Sequence, residues 1–193
     1  MALVRPRERA RLEGTAPVSA LDVARATVAA APGPPEHRER ILAFMDAHPD
    51  ALLRSCLSGH LTGSGAVVDD AGEHVLLLHH RKLDRWLQPG GHADGDGDLA
   101  AVAAKEVWEE TGLRGTVERP AIDVDVHVIP ERPGEPEHVH LDVRFRITVP
   151  AGAVVVGNDE SHALRWVGLA DLADPELALD GSTERLIRTA LAR

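Results

Sequence analysis

The chain has 193 residues, of which 44% are hydrophobic and 27% charged, as expected of a globular protein with a normal core. It carries 31 acidic and 21 basic side chains, which gives a formal net charge of -10 at pH 7. Such a surface repels a phosphate backbone, so we do not expect duplex nucleic acid as a partner. The single cysteine, Cys56, excludes an internal disulfide and favours a reducing compartment, so we expect a cytoplasmic protein.

The sequence gives no sign of insertion into a membrane. A transmembrane helix needs about 20 consecutive apolar residues, and no run in this sequence approaches that length. Residues 1–14 are charged and lack the apolar core of a signal peptide. We therefore expect a small-molecule partner, and a phosphorylated one would need its charge neutralised locally by a metal ion or a few arginines.

The first quarter of the chain has a helical pattern. Residues 15–55 lack the alternation of strands and predict two helices, over residues 18–31 and 36–46, separated by a Pro- and Gly-rich break. The pattern changes to short apolar runs soon afterwards. We therefore divide the chain into a helical extension at residues 1–56 and a main domain at residues 57–193.

The main domain mixes predicted strands with two helices. The predicted strand segments are a hairpin over residues 61–80 and two longer alternating stretches over residues 122–128 and 139–149, which flank a loop at 130–136. A strong helix is predicted over residues 98–111, begun by Asp98 and ended by Gly112, and a last one over residues 182–192. This order of elements indicates a mixed α/β layered domain.

Three glutamates lie on one face of the predicted helix over residues 98–111. Glu106, Glu109 and Glu110 are spaced i, i+3 and i+4, which brings their carboxylates together. Like charges at this spacing repel, so the carboxylates either remain in water or share a cation. Carboxylate oxygens suit Mg2+ or Mn2+. Periodicity alone leaves open the alternative of an ordinary solvated acidic face.

The segment around this helix carries a wider pattern of spaced glycines, glutamates and aliphatic residues. Its members are Gly91, Glu106, Val107, Glu109, Glu110, Gly112 and Leu113. At these positions the chain matches the Nudix box and resembles the Nudix (MutT-like) hydrolase family. Two positions depart from the box, since Gly97 stands where the family has Glu and Lys105 stands where it has Arg. The resemblance extends to Trp86-Leu87-Gln88-Pro89 and to residues 158–167, and it does not include residues before about 57.

The resemblance implies both a fold and an activity. The fold is the α/β (α+β) Nudix fold, a mixed β-sheet layered between helices, preceded here by the N-terminal helical extension. The activity is Mg2+-dependent hydrolysis, with Mn2+ as an alternative ion, of diphosphate bonds in nucleoside diphosphate-linked substrates. Nucleotide sugars and nucleoside triphosphates are the substrate types that we expect. A homodimer is a further expectation from the resemblance.

The resemblance also assigns roles to individual residues. The predicted catalytic residues are Glu106, Glu109, Glu110 and Glu160, and the predicted metal site comprises Gly90, Gly91, Glu106, Glu109 and Glu110. In this scheme Glu109 and Glu110 are the main ligands, while Glu106 is a further ligand or the general base. Glu160 corresponds to a distal acidic residue, either ligand or base, although an exposed loop charge is an equal alternative. Lys105 lacks the planar fork of Arg, so a bidentate clamp is not available. Asp96 or Asp98 could reach Lys105 in place of the missing Glu, although Asp98 is also the predicted helix N-cap.

Basic residues outside the box are candidates for binding substrate. They are Arg81, Arg85, His138, His140 and Arg144, the last three of which alternate on the polar face of a predicted strand. A solvated strand connection is the competing explanation for the first two. His79, His80 and His92 form no zinc motif with a cysteine, so we do not predict that they bind a metal.

Three other functions compete with hydrolysis. The first is a catalytically weakened Nudix-fold binding or regulatory module, favoured by the departures at Gly97 and Lys105. The second is an isopentenyl-diphosphate isomerase of this fold. Such an enzyme requires a catalytic cysteine in its site, and Cys56 is poorly placed for that role because it precedes the first strand. The third is an EF-hand-type calcium loop beginning at Asp94, which fails because Lys105 stands where the loop needs Glu.

Overall fold

A computed structural model describes residues 17–192, so the charged segment at residues 1–14 lies outside the described part of the chain. The helices are α1 (Ala20–Ala30), α2 (Pro35–Ala47), α3 (Leu99–Thr111), a 3-10 helix (Leu169–Ala173) and α4 (Gly181–Leu191). All four predicted helices are therefore present, with ends that differ by one or two residues. In the described part, every helix is too short or too polar to cross a membrane.

The described strands outnumber those expected from the sequence. They are β1 (Gly59–Val68), β2 (Val75–His80), β3 (Arg85–Leu87), β4 (Gly90–His92), β5 (Thr116–Val117), β6 (Asp123–Ile129), β7 (His138–Thr148) and β8 (Ser161–Val167). The predicted hairpin is confirmed by the antiparallel pairing of β1 with β2. The two longer predicted strands are confirmed as β6 and β7.

Helix boundaries follow from local capping groups. Ser19 and Asp22 form a reciprocal capping box at the start of α1. The carboxylate of Asp98 accepts a hydrogen bond from the Ala101 amide and begins α3, as predicted. Gly112 ends α3 with a left-handed φ of 69°, which glycine adopts at little cost. Short polar side chains and one glycine thus fix where α3 lies.

The strands form one mixed sheet with β1 and β7 at its centre. These two strands run parallel over their whole length, from the pair Gly59 and Val139 to the pair Val68 and Thr148. The other pairs are antiparallel: β2 and β4 bind different parts of β1, β5 and β6 bind β7, and β3 and β8 bind β2. β4, which carries the glycines of the box, therefore lies against the middle of β1.

Helices cover both faces of the sheet. Successive side chains of a strand point to opposite faces, and on β1 Leu61 belongs to the cluster that includes Leu99 of α3. Ala66, on the other face of β1, packs with Leu186 and Ile187 of α4. The predicted sheet layered between helices is confirmed. Helices α1 and α2 contribute to the same core as α3, and the division of the chain at residue 56 stays a prediction.

Candidate active site on helix α3

Two of the box carboxylates, those of Glu110 and Glu106, lie against the backbone of β4. Glu110 is only 5% exposed, and its Oε2 accepts a hydrogen bond of 2.8 Å from the Gly90 amide. Burial raises the pKa of Glu110 to about 8, because a charged carboxylate loses its hydration there. Glu106 and Glu160 add to this shift through their negative charges. The site therefore concentrates negative charge that a cation would relieve.

Glu106 lies against the backbone of β4 at Gly91. A Cβ atom added to Gly91 would overlap the carboxylate of Glu106, so any other residue here would displace that carboxylate. The Glu106 side chain is 14% exposed. Bare backbone at Gly91 allows a box carboxylate to approach the strand closely.

Lys105 binds two of the box glutamates directly. Its Nζ lies 2.9 Å from Glu106 Oε1 and 3.1 Å from Glu109 Oε2. The expectation that Asp96 or Asp98 would bind Lys105 is wrong. Asp98 instead accepts hydrogen bonds of 2.6 and 2.8 Å from Arg119 while it caps α3. The i, i+4 spacing on α3 explains the difference, because it places Glu109 within reach of Lys105.

The other departure from the box, Gly97, lies where a side chain would meet steric hindrance. Gly97 is buried, and a Cβ atom added there would collide with the backbone of Ala20 at the start of α1, with Ala20 C at 2.7 Å. The N-terminal helix thus occupies the space that a side chain at residue 97 would need. A glutamate cannot be restored at this position without moving α1.

Substituting Ala for Gly97 should lower the free energy of unfolding by about 1–3 kcal/mol, the usual cost of overpacking a tight site. The measurement is the urea midpoint of the variant beside that of Gly181→Ala. Gly181 lies in α4, and a Cβ atom added there would meet nothing within 4 Å, so its substitution should be neutral or slightly stabilising. Equal midpoints for the two variants would contradict the packing of α1 against Gly97.

The segment that precedes β8 is attached to the end of α3. Asn158 Nδ2 donates to the Glu109 carbonyl at 3.2 Å, and Asn158 Oδ1 accepts from the Glu160 amide at 2.9 Å. Glu160 itself is exposed. Its charge contributes, after burial, to the raised pKa of Glu110. The structure therefore places the predicted distal acid within electrostatic range of the box.

Two of the predicted substrate-binding residues, Arg81 and Arg85, lie at the start and just past the end of the β2–β3 connection, and their surroundings differ. The Arg81 amide donates to the Glu160 carbonyl at 2.8 Å, which places Arg81 beside the distal acid. Its side chain is exposed. The Arg85 guanidinium lies 4.0 Å from the carboxylate of Asp180, so its side chain is directed toward the start of α4. Of the two, Arg81 is the better placed for a substrate phosphate.

Arg144 lies in a buried network of charges. Its side chain is 3% exposed and contacts carboxylates of Asp123 at 3.1 Å, Asp125 at 3.2 Å and Asp142 at 2.9 Å. Arg185 shares the first two carboxylates. A guanidinium held by three partners is not free for a substrate phosphate, so the structure indicates that Arg144 neutralises buried carboxylates.

The two predicted histidines of β7 lie within a cluster of four. His138 and His140 face each other with their Nε2 atoms 3.3 Å apart. The parallel pairing places His60 opposite His140, and His92 of β4 also reaches His140 Nε2 at 3.3 Å. His60 was not among the predicted residues, because the pairing of β1 with β7 joins positions that are far apart in the chain, and His92 was considered without being assigned to this cluster.

Comparison with known proteins assigns the chain to a family. The family model described as NUDIX domain matches residues 59–188. The chain therefore belongs to the Nudix family.

Two curated relatives and one solved structure illustrate the degree of similarity. The human protein named nucleoside diphosphate-linked moiety X motif 6 is 27% identical over 122 residues, covering 62% of this chain and 38% of the relative. A Streptomyces rubellomurinus protein, CMP-5'-(N-acetyl-N-hydroxy-3-aminopropyl)phosphonate hydrolase, is 30% identical over 130 residues, covering 61% of this chain and 55% of the relative. The chain thus spans less than half of the first relative and little more than half of the second.

The solved structure is an Ap4A hydrolase from C. elegans in a binary complex. It superposes with a TM-score of 0.55 and 18% identity, covering 68% of this chain and 95% of that one. At this identity the likeness shows the shared fold.

Proposed function

We propose that this protein is a Mg2+-dependent hydrolase that cleaves a diphosphate bond in a small nucleoside diphosphate-linked substrate. The observation that carries the proposal is the position of Glu110 and Glu106 against the backbone of Gly90 and Gly91, with Glu109 joined to Glu106 through Lys105. A merely solvated acidic face would not bury Glu110 or press Glu106 against a glycine. The geometry therefore favours a cation site over that simpler interpretation.

The donor set fits a hard divalent cation. Carboxylate oxygens from three glutamates, with a backbone carbonyl at Gly90 or Gly91 close by, are the ligands that Mg2+ and Mn2+ prefer. The raised pKa of Glu110, caused chiefly by burial, is that of a carboxylate without compensating charge. Lys105 already supplies one positive charge to Glu106 and Glu109, which supports the view that these two carboxylates stabilise a cation between them.

The roles of the residues follow from this arrangement. When bound, the metal would polarise the phosphate and lower the pKa of an attacking water. Glu109 and Glu110 would hold it, and the Gly90 amide keeps the Glu110 carboxylate oriented. Lys105 positions Glu106 and Glu109. Glu106 or Glu160 would accept the proton that leaves the water, and Arg81 would bind a substrate phosphate beside Glu160.

The substrate class is supported by the names of the curated relatives. One is named for a nucleoside diphosphate-linked moiety and the other for hydrolysis of a CMP-linked phosphonate. Both names describe a nucleoside joined through phosphorus to another group. A net charge of -10 also agrees with a small substrate whose phosphates are met by a local cation.

The test is phosphate release, coupled to a phosphatase, across nucleoside triphosphates, nucleotide sugars and dinucleoside polyphosphates with Mg2+ or Mn2+. We expect turnover of at least one nucleoside diphosphate-linked class. Binding of nucleotides without turnover of any class would instead favour the alternative, a Nudix-fold binding or regulatory module. Activity retained in Cys56→Ala would exclude the isomerase chemistry that requires a cysteine.

A further inference from the structure

A second group of ligand-type side chains lies on the opposite face of the sheet from the box glutamates. Gly91 directs its Cβ position toward Glu106, and the next residue of β4, His92, therefore points to the other face. There it meets His60 of β1 and His138 and His140 of β7. The ring centroids of His60 lie 4.7 to 5.0 Å from those of the other three.

Hydrogen bonding within the protein does not account for this cluster. His60 is 4% exposed, and neither of its ring nitrogens has a hydrogen-bond partner among the described residues. Buried polar groups are normally paired, so such an orphan calls for an explanation. The Nε2 atoms of His92 and His138 each lie 3.3 Å from His140 Nε2. One neutral imidazole nitrogen cannot be a well-aligned partner to both.

We propose that three of these residues, His60, His138 and His140, bind a divalent transition metal ion of the zinc type. Each offers one ring nitrogen, and the three nitrogens lie within 4.8 Å of one another. His92 borders the remaining coordination position through its contact with His140. The proposal is independent of the hydrolase function, which uses the carboxylates of the other face.

The distances and the surroundings match such an ion. Two imidazole nitrogens bound to tetrahedral zinc at about 2.0–2.1 Å are separated by about 3.3–3.4 Å, which agrees with the 3.3 Å between His138 Nε2 and His140 Nε2. His138 Nδ1 donates to the Pro136 carbonyl at 2.9 Å, so its Nε2 keeps a lone pair for the metal. Nitrogen ligands select zinc-type ions over Mg2+, which prefers oxygen.

Burial favours the neutral form of two imidazoles of the cluster, and a cavity reaches the site. Burial, with smaller contributions from neighbouring charges, lowers the pKa of His92 to about 4 and that of His140 to about 2. Neutral imidazole is the form that binds metal. A cavity of about 80 Å³ is lined by His60, His92 and His138 together with Cys56 and Glu135, and it provides a route for an ion to enter.

The test uses the whole protein after removal of metals with a chelator. Titration with Co2+ should give one equivalent of binding with the visible absorption of a four-coordinate, nitrogen-rich complex. Added Zn2+ should displace the Co2+, whereas a large excess of Mg2+ should not. Absence of stoichiometric Co2+ binding to the wild-type protein, or displacement by Mg2+, would overturn the proposal.

Substitutions of the clustered histidines, compared with substitutions elsewhere, test which face of the sheet binds the ion. His138→Ala and His60→Phe should lose more than the roughly 10–100-fold in affinity that a changed supporting residue costs. Two controls should keep full affinity: His162→Ala, which removes an exposed histidine of β8, and Glu109→Gln, which alters the box. Circular dichroism verifies that each variant is folded. Unchanged affinity in both histidine variants, or loss in Glu109→Gln, would refute this ligand set.

Discussion

Replacing Glu109 or Glu110 by Gln should reduce turnover of a nucleoside diphosphate-linked substrate by at least about 100-fold. Glutamine keeps the size of the side chain but removes the charge that binds a divalent cation, and loss of an electrostatic contact of this kind costs about 10²–10³ in rate. Turnover is measured by coupled phosphate release at saturating Mg2+. Glu184→Gln, on the exposed side of α4, is the matched control and should retain wild-type turnover.

A measurement of folding stability distinguishes a variant that loses turnover through its metal site from one that loses turnover because it unfolds. Burial raises the pKa of Glu110 to about 8, so the folded protein disfavours the charged form at this position. A neutral glutamine avoids that cost and can still accept the Gly90 hydrogen bond. Glu110→Gln should therefore be at least as stable as wild type in metal-free urea denaturation while it is nearly inactive. Normal turnover in this variant would remove Glu110 from the metal site.

Replacing Arg144 by Met should destabilise the protein by about 3–5 kcal/mol, the usual cost of removing one partner from a buried ion pair. Three carboxylates surround this guanidinium at 2.9 to 3.2 Å, and Arg185 contacts only two of them, Asp123 and Asp125. Native proteins are stable by only about 5–15 kcal/mol. The measurement is the free energy of unfolding at neutral pH from urea denaturation.

The control for this prediction is an exposed arginine in a single ion pair. Arg188 is 58% exposed and pairs with Glu184 one turn away on α4. Arg188→Met should change stability by no more than about 0.5 kcal/mol. Arg144→Lys should fall between the two, because a point charge cannot contact three carboxylates in the way that a planar guanidinium does. Equal stabilities for the two Met variants would contradict the buried network.

Local signals in the sequence predicted the helices well. Asp98 and Gly112 define α3 through hydrogen bonds and a left-handed φ that depend only on neighbouring residues. The strands β3, β4 and β5 escaped prediction because each has only two or three residues, too few for an alternating pattern. Their existence depends on pairing with β1, β2 and β7, which is a tertiary property.

The candidate site was predictable where its residues share one helix. Glu106, Glu109 and Glu110 lie on one side of α3 because of helical periodicity, and Lys105 links the first two. The contacts of Lys105 were assigned to the wrong partners, because rotamers and the competing Arg119 are invisible in a pattern. The contact of His60 with His140 required the parallel pairing of distant strands, for which the sequence offers no local signal.

The most direct measurement of the central claim is turnover as a function of Mg2+ concentration, with the wild-type protein and the best substrate of the panel. We expect no turnover in the presence of a chelator and recovery to full turnover as Mg2+ is added. We also expect Glu109→Gln to stay inactive at Mg2+ concentrations that saturate the wild type. Turnover that persists with a chelator, or equal activation of wild type and Glu109→Gln, would contradict a carboxylate-bound metal at this site.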